Sequence, residues 1–252
     1  MISLYDNSFL KYCSEKGIKQ IDFQNDNLFR KSLNKDDIIE HMHTLSKFHK
    51  KISGYNNYIG YRLEDKRGRM VEQYKIYIRK VKRQYESIKK KSELSSFEKL
   101  LLYHGDEYLK RAENCIKVIY ENGYLELIKR SMDRNEICIG DTSFANLRMR
   151  EQIEVNDLSK CVYDLVEIDG ADFLLRLIKK GLDLDYENLV KEFCKIEGLD
   201  SRSENFIKAV ISYPSEFMKY CIKYNKKNKM KNRDKYEAKL HKLVEEAFMS
   251  LI

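Results

Sequence analysis

The chain has 252 residues, 42% hydrophobic and 35% charged, with 18 Tyr and 11 Phe. That is enough apolar side chain for a sizeable core, and it excludes an intrinsically disordered chain. A single proline, Pro214, and ten glycines leave long stretches without breakers, which favours helices over a turn-rich all-β fold.

The net charge of +8, from 48 basic and 40 acidic residues, is a modest excess and names no partner by itself. Basic clusters at Arg79 to Arg83, Lys89 to Lys91 and Lys223 to Lys235 leave an acidic surface, nucleic acid or a phosphorylated ligand open as a partner. A solvated helix face is the favoured reading, and nucleic-acid binding the weakest. The six cysteines, at 13, 115, 138, 161, 194 and 221, show no C-x-x-C spacing and read as reduced, buried thiols. Met1 to Asp6 carries no basic segment followed by an apolar run, and no long uninterrupted apolar stretch exists, so a soluble protein made in the cytoplasm is expected, with no membrane span.

In chain order, Asp36-Asp37 ahead of Ile38-Ile39 predicts a helix through His49. His41 and His43, two positions apart, do not share a helix face and read as a surface pair rather than a metal site. His49 and His104 read as packing or capping groups. Met70, Tyr74, Tyr77, Val81, Tyr85 and Ile88 recur at steps of three and four, which predicts a long helix with one aromatic-rich face in the core. Ser95-Ser96 offers an N-cap for a second long helix through Tyr120, stopped by Asn122-Gly123, and a third spans Tyr124 to Met132. Ile137-Cys138-Ile139 then forms a short apolar run closed by Gly140-Asp141. Leu147, Met149, Ile153 and Val155 alternate around Arg150-Glu151-Gln152, which predicts a hairpin. After Asp157 a polar connection leads to an apolar helix, Phe173 to Ile178, ended by Gly181. Further helices are expected near 186–197, 203–226 and 233–250.

One constellation carries chemistry. A loop from Gly140 to Asn146, a hairpin, and Asn156-Asp157-Leu158-Ser159 reproduce the layout that phosphoryl transfer uses in kinases. There an aspartate orients the attacking hydroxyl, and an asparagine five positions on and an aspartate past the hairpin hold magnesium. Asp141, Asn146 and Asp157 stand in that order. The spacing alone arises readily by chance in a chain rich in Asp and Asn; the strand, loop and hairpin around it add the weight.

Several blocks resemble, in order, the C-terminal lobe of CotS-type spore-coat proteins, a branch of the aminoglycoside and choline kinase-like superfamily. Leu45-Ser46-Lys47-Phe48-His49-Lys50 with Ser53-Gly54-Tyr55 resembles the family's helix block, and Cys138-Ile139-Gly140-Asp141 with Asn146 its catalytic loop. Asp157 to Asp164 resembles D-F-x-x-x-x-Y-D, Asp169 to Arg176 resembles D-L-A-x-F-L-R-R, and Tyr213-Pro214-Ser215-Glu216-Phe217-Met218 with Tyr224-Asn225-Lys226-Lys227 resembles its ending. The likeness covers roughly residues 43 to 230.

The resemblance implies a mainly α, α+β fold. Residues 43–252 would form a protein-kinase-like C-terminal lobe with a small β-hairpin, and residues 1–42 a residual segment in place of a reduced or absent N-terminal lobe. It implies that Asp141 is the catalytic base if the protein is active, Asn146 and Asp157 the magnesium ligands, and Asp169 the brace of the catalytic loop. Magnesium and ATP enter only with that reading.

Four departures stand out: Ile139 for histidine, Leu158 for phenylalanine, Gly170 for leucine and Met218 for tryptophan. The first removes a brace from the loop. The first forty residues hold one glycine, Gly17, and no V-A-I-K-like strand, so a phosphate-covering loop and a lysine clamp find no place there. The expectation is a pseudokinase, a non-catalytic scaffolding protein of the spore coat, made in the cytoplasm and bound to other coat proteins. The alternative is an ATP- and magnesium-dependent phosphotransferase acting on a sugar, amino alcohol or aminoglycoside-like molecule.

Overall fold

The computed structural model describes residues 7–23, 33–56, 63–224, 233–245 and 250–252. The elements in chain order are α1 (Asn7–Glu15), β1 (Ile18–Gln20), α2 (Lys35–Ile52), α3 (Arg69–Ile88), α4 (Ser96–Glu121), α5 (Tyr124–Arg134), β2 (Ile137–Cys138), β3 (Leu147–Met149) and β4 (Ile153–Val155). They continue with β5 (Val162–Tyr163), α6 (Val166–Lys179), α7 (Tyr186–Glu197), α8 (Ser201–Ser212), α9 (Ser215–Tyr224) and α10 (Arg233–Glu245). The mainly helical class with small sheets is as expected. No helix among the described residues is long and apolar enough to cross a membrane. The ends Met1 to Asp6 and most of the basic run Lys223 to Lys235, with Asn225-Lys226-Lys227, lie outside the described residues.

The chain forms two compact units, one of residues 1–68 and 123–207, the other of 69–122 and 208–252. The first holds the loop and the hairpin. Its α2 starts at a capping box, in which Asn34 accepts the Asp37 N–H at 2.8 Å and Asp37 accepts the Asn34 N–H at 3.0 Å. This satisfies two otherwise orphaned donors at the helix start. One face of α2 is then buried through Ile38, Met42, Leu45, Phe48 and Ile52. β3 and β4 form the expected antiparallel hairpin, with Leu147 opposite Val155 and Met149 opposite Ile153. β1 joins that hairpin in parallel on β4, pairing Ile18 with Ile153 and Gln20 with Val155. A second small sheet pairs β2 with β5.

Three expectations for this unit change. β5 lies inside what reads as a polar connection, and α6 begins at Val166, well before the apolar run at Phe173. His41 is buried, 4% exposed, because its ring packs against Phe144 and Phe173, with centroids 4.2 and 4.8 Å away. Gly170 is required by packing: a β-carbon there would run into the ring of Phe193 on α7. The unit also buries charge. Arg130 bonds Glu136 at 2.9 and 3.0 Å and Glu167 at 2.7 Å twice, and Glu167 also accepts from Ser203. These carboxylates tolerate burial because each faces a guanidinium fork.

In the second unit α3 packs on α4 and α9. Its buried face runs through Val71, Tyr74, Ile78, Val81, Tyr85 and Ile88, so Val71 and Ile78 take the places expected for Met70 and Tyr77. The core reading of the tyrosine stripe holds for Tyr74 and Tyr85. α4 starts at a second capping box on Ser95 and Glu98. The single helix expected over 203–226 is two, because Pro214 has no N–H to donate and disfavours the helical conformation at Tyr213. Tyr213 uses the break to stack on Tyr74 at 3.6 Å and to donate to the Tyr74 carbonyl at 3.1 Å. Met218 is fully buried. All six cysteines are free and buried.

Candidate functional site

The loop between β2 and β3 is shaped from below. Asp169, on the first turns of α6 and 1% exposed, accepts the Ile139 N–H at 2.6 Å and the Gly140 N–H at 3.1 Å. The brace acts on backbone groups, so isoleucine at 139 leaves it intact. Gly140 is left-handed, with φ of 72°, and a β-carbon there would meet the Lys160 carbonyl at 2.5 Å. Only glycine permits that close approach.

A second tie comes from α2. His49 Nε2 lies 2.9 Å from Asp169 Oδ2 and its Nδ1 2.6 Å from Glu197 Oε1, all three side chains being buried. Burial alone lowers the His49 pKa, but the Glu197 charge and the hydrogen bonds to Asp169 and Glu197 outweigh it and raise it. The ring is therefore a cation donating from both nitrogens. Glu197 is held below the usual carboxylate range, burial opposing and the His49 charge prevailing. His41 Nε2 contacts the Thr142 carbonyl at 2.8 Å, and burial lowers its pKa to about 4, so it serves the loop as a neutral donor. His49, Glu197 and His41 are residues that sequence patterns do not assign to this loop; the family helix block at Leu45 to Lys50 was the available signal for His49.

On the upper side, the expected trio converges. Asn146 donates to the Asp141 carbonyl at 2.9 Å and the Asp157 carbonyl at 3.3 Å, and its Oδ1 accepts the Asp157 N–H at 2.8 Å. It thus staples the loop to the far end of the hairpin. The N-terminal segment meets the same corner, where the Phe23 N–H donates to Asn156 Oδ1 at 3.0 Å. Arg148 of β3 lies over the Phe23 ring at 4.0 Å and bonds Glu154 at 2.6 Å.

The acidic groups are already engaged. Asp141 Oδ2 accepts from Lys160 Nζ at 2.8 Å, and its Oδ1 takes the Ser143 N–H at 3.3 Å and lies 3.3 Å from Arg176 Nη1. Arg176 is oriented by Asp172 at 2.7 Å, which also accepts from the Thr142 hydroxyl at 2.8 Å. Burial raises the Asp141 pKa, but Lys160, Ser143 and Arg176 together hold it below the ordinary value. Asp157 Oδ1 accepts the Ser159 N–H at 2.8 Å, and its pKa is lowered first by hydrogen bonding to the Ser159 side chain and then by this backbone bond.

A magnesium ion needs oxygens with free lone pairs aimed at one point. Of the two expected ligands, Asn146 has its Oδ1 on the Asp157 N–H and Asp157 has its Oδ1 on the Ser159 N–H, and among the described residues no group of three or more His, Cys, Asp or Glu side chains is placed to hold a metal ion.

Beside the loop a cavity of about 290 Å³ is lined by Asp37, Glu40 and His41 of α2, Phe144, Arg150 and Lys180 among others. His41 and Phe144 make it contiguous with the loop.

The crystal structure of an aminoglycoside phosphotransferase from Alicyclobacillus acidocaldarius subsp. acidocaldarius DSM 446 is similar over 83% of this chain and 67% of that chain, with a TM-score of 0.60 and 15% identity. At that identity it shows the fold alone, which is kinase-like. No curated protein matches the chain. The family described as "Spore coat putative kinase YutH" matches residues 6–249, nearly the whole length, and the chain belongs to that family.

Proposed function

We propose that the protein is a non-catalytic member of this kinase-like family that serves the spore coat as a structural or scaffolding component, bound to other coat proteins. In this reading it is made in the cytoplasm and assembled into the coat, residues 1–42 stand for a reduced N-terminal lobe, and residues 43–252 for the C-terminal lobe. The observation that carries it is the engagement of Asp141, the base position, by Lys160 and Arg176. A base must offer a lone pair to the acceptor hydroxyl in the reacting geometry. A carboxylate paired on both oxygens, with a lowered pKa, is a weak candidate. Asp169 keeps the role of loop brace, and Asn146 acts as a staple between Asp141 and Asp157.

The alternative is a magnesium- and ATP-dependent phosphotransferase with Asp141 as base and Asn146 and Asp157 on the metal. The surviving order of those three residues favours it. Replacing the gene by an Asp141→Asn version in the sporulating host separates the two. A coat indistinguishable from wild type, beside the altered coat of a deletion strain, supports the structural role. A coat as altered as in the deletion strain, with the variant protein present at normal level, would establish that chemistry is required.

A further inference from the structure

We propose that the cavity between α2 and β3 is a binding site for a zwitterionic amino acid with an apolar side chain. It holds about 290 Å³, at the small end of ligand sites, which run from about 300 to 1,000 Å³. That suits a single amino acid. His41 carries the inference, which goes beyond the coat role. The residue is 4% exposed, yet only one of its ring nitrogens is used: Nε2 lies 2.8 Å from the Thr142 carbonyl, and Nδ1 has no bond among the described residues. A carbonyl takes only a donor, so Nε2 carries the proton, and burial keeps the ring neutral. Nδ1 is therefore a bare lone pair. No buried side-chain nitrogen or oxygen among the described residues is left without a partner, so Nδ1 reaches open space. The open space that His41 lines is the cavity. An unused acceptor in a pocket wall calls for a ligand with an N–H or O–H donor.

The charges that line the cavity come from separate elements. α2 brings the carboxylates of Asp37 and Glu40, and Glu40 pairs with no cation among the described residues. Arg150 in the hairpin turn and Lys180 at the end of α6 bring two cations, and neither meets a carboxylate among the described residues. Lys180 Nζ lies instead over the Phe144 ring, 6.0 Å from its centroid. The third cation of the lining, Arg148, is already bonded to Glu154. An ammonium therefore finds acceptors in Glu40 and His41 Nδ1, and a carboxylate finds donors in Arg150 and Lys180. Phe144, Leu147 and Met149 supply an apolar wall for the side chain. A plain amine or a plain acid would leave one set of charges unanswered. The zwitterion answers both.

The test is calorimetric titration and saturation-transfer NMR of the full chain with L-leucine, L-methionine and L-phenylalanine. Isocaproate, which lacks the ammonium of leucine, and isoamylamine, which lacks its carboxylate, serve as controls. At least one of the three amino acids is expected to bind with millimolar or tighter affinity, and the two controls about tenfold more weakly than leucine or not at all. Glu40→Gln, and Arg150→Gln combined with Lys180→Gln, change exposed side chains and should each weaken binding about tenfold while melting curves stay cooperative. The nitrogen resonance of His41 Nδ1 should move when the amino acid is added, because its lone pair then accepts a hydrogen bond. Silence of all three amino acids at millimolar concentration would overturn the inference. Binding that these variants leave unchanged, or that leaves the His41 resonance in place, would put the ligand elsewhere and overturn it as well. Either control binding as tightly as leucine would overturn the zwitterion. None of these results bears on the non-catalytic reading, which rests on Asp141.

Discussion

His49 Nε2 lies 2.9 Å from Asp169 Oδ2, the same carboxylate oxygen that receives the Ile139 N–H at 2.6 Å. The loop brace is thereby tied to α2, and through Glu197 to α7. His49→Ala leaves two buried carboxylates without their cation and is expected to cost about 3–5 kcal/mol. The pH dependence has a definite sign. A histidine whose folded pKa is raised stabilises fully below its unfolded value, about 6.5, and loses that contribution as pH climbs through the folded value. Glu197, with a lowered folded pKa, stabilises above its unfolded value, about 4.3, and loses this as pH falls through the folded value. Urea unfolding of wild type and His49→Gln should therefore differ most between those two unfolded values and converge at alkaline pH. A difference that persists undiminished far above the raised histidine pKa would contradict a charged His49.

Gly170→Leu should destabilise this chain, because Phe193 occupies the space a side chain there would need. Overpacking costs about 1–3 kcal/mol or more where backbone cannot shift. Combined with Phe193→Ala, which alone costs about 3–5 kcal/mol, it should lose less than the sum of the two singles, with a coupling above about 0.5 kcal/mol. Strict additivity in chemical denaturation would show that the two positions do not compete.

Asp164 is 5% exposed, and burial pushes its carboxyl up to about 7, opposed by the Leu165 N–H, which it accepts at 2.9 Å. A raised folded pKa means that stability is full below the unfolded value, about 3.9, and falls as pH rises through the folded value. The cost of ionising it should amount to a few kcal/mol, because each tenfold change in a protonation equilibrium is worth about 1.4 kcal/mol. Asp164→Asn should remove this component, so its stability relative to wild type improves from pH 4 to pH 8. A flat difference over that range would contradict a carboxyl held neutral by burial.

Much of the fold was legible because its signals are local. The α3 stripe, the Ser95 cap and the hairpin around Arg150 to Gln152 need only neighbours in sequence, and the Pro214 break could have been read from proline chemistry. β1 was not legible: Ile18-Lys19-Gln20 holds one apolar residue, and its strand character comes from pairing with Ile153 to Val155. The order of Asp141, Asn146 and Asp157 pointed to one corner of the fold, and the structure brings them there. What surrounds them did not show, because the partners are distant. His49 reaches Asp169 across 120 positions and Glu197 across 148, and the importance of Lys160 depends on how a turn aims it at Asp141. Gly170 reads as a weak departure in sequence and as a packing requirement beside Phe193.

The central claim is that the cleft is closed by its own ion pairs and takes no nucleotide. Thermal unfolding of the whole protein with ATP and magnesium tests it most directly. A ligand at about 100 times its dissociation constant stabilises a binder by about 2.7 kcal/mol, a rise of several degrees for a chain of this size. The account predicts no change in Tm at millimolar ATP and magnesium. A saturable, magnesium-dependent rise of several degrees that disappears in Asp157→Ala would contradict it.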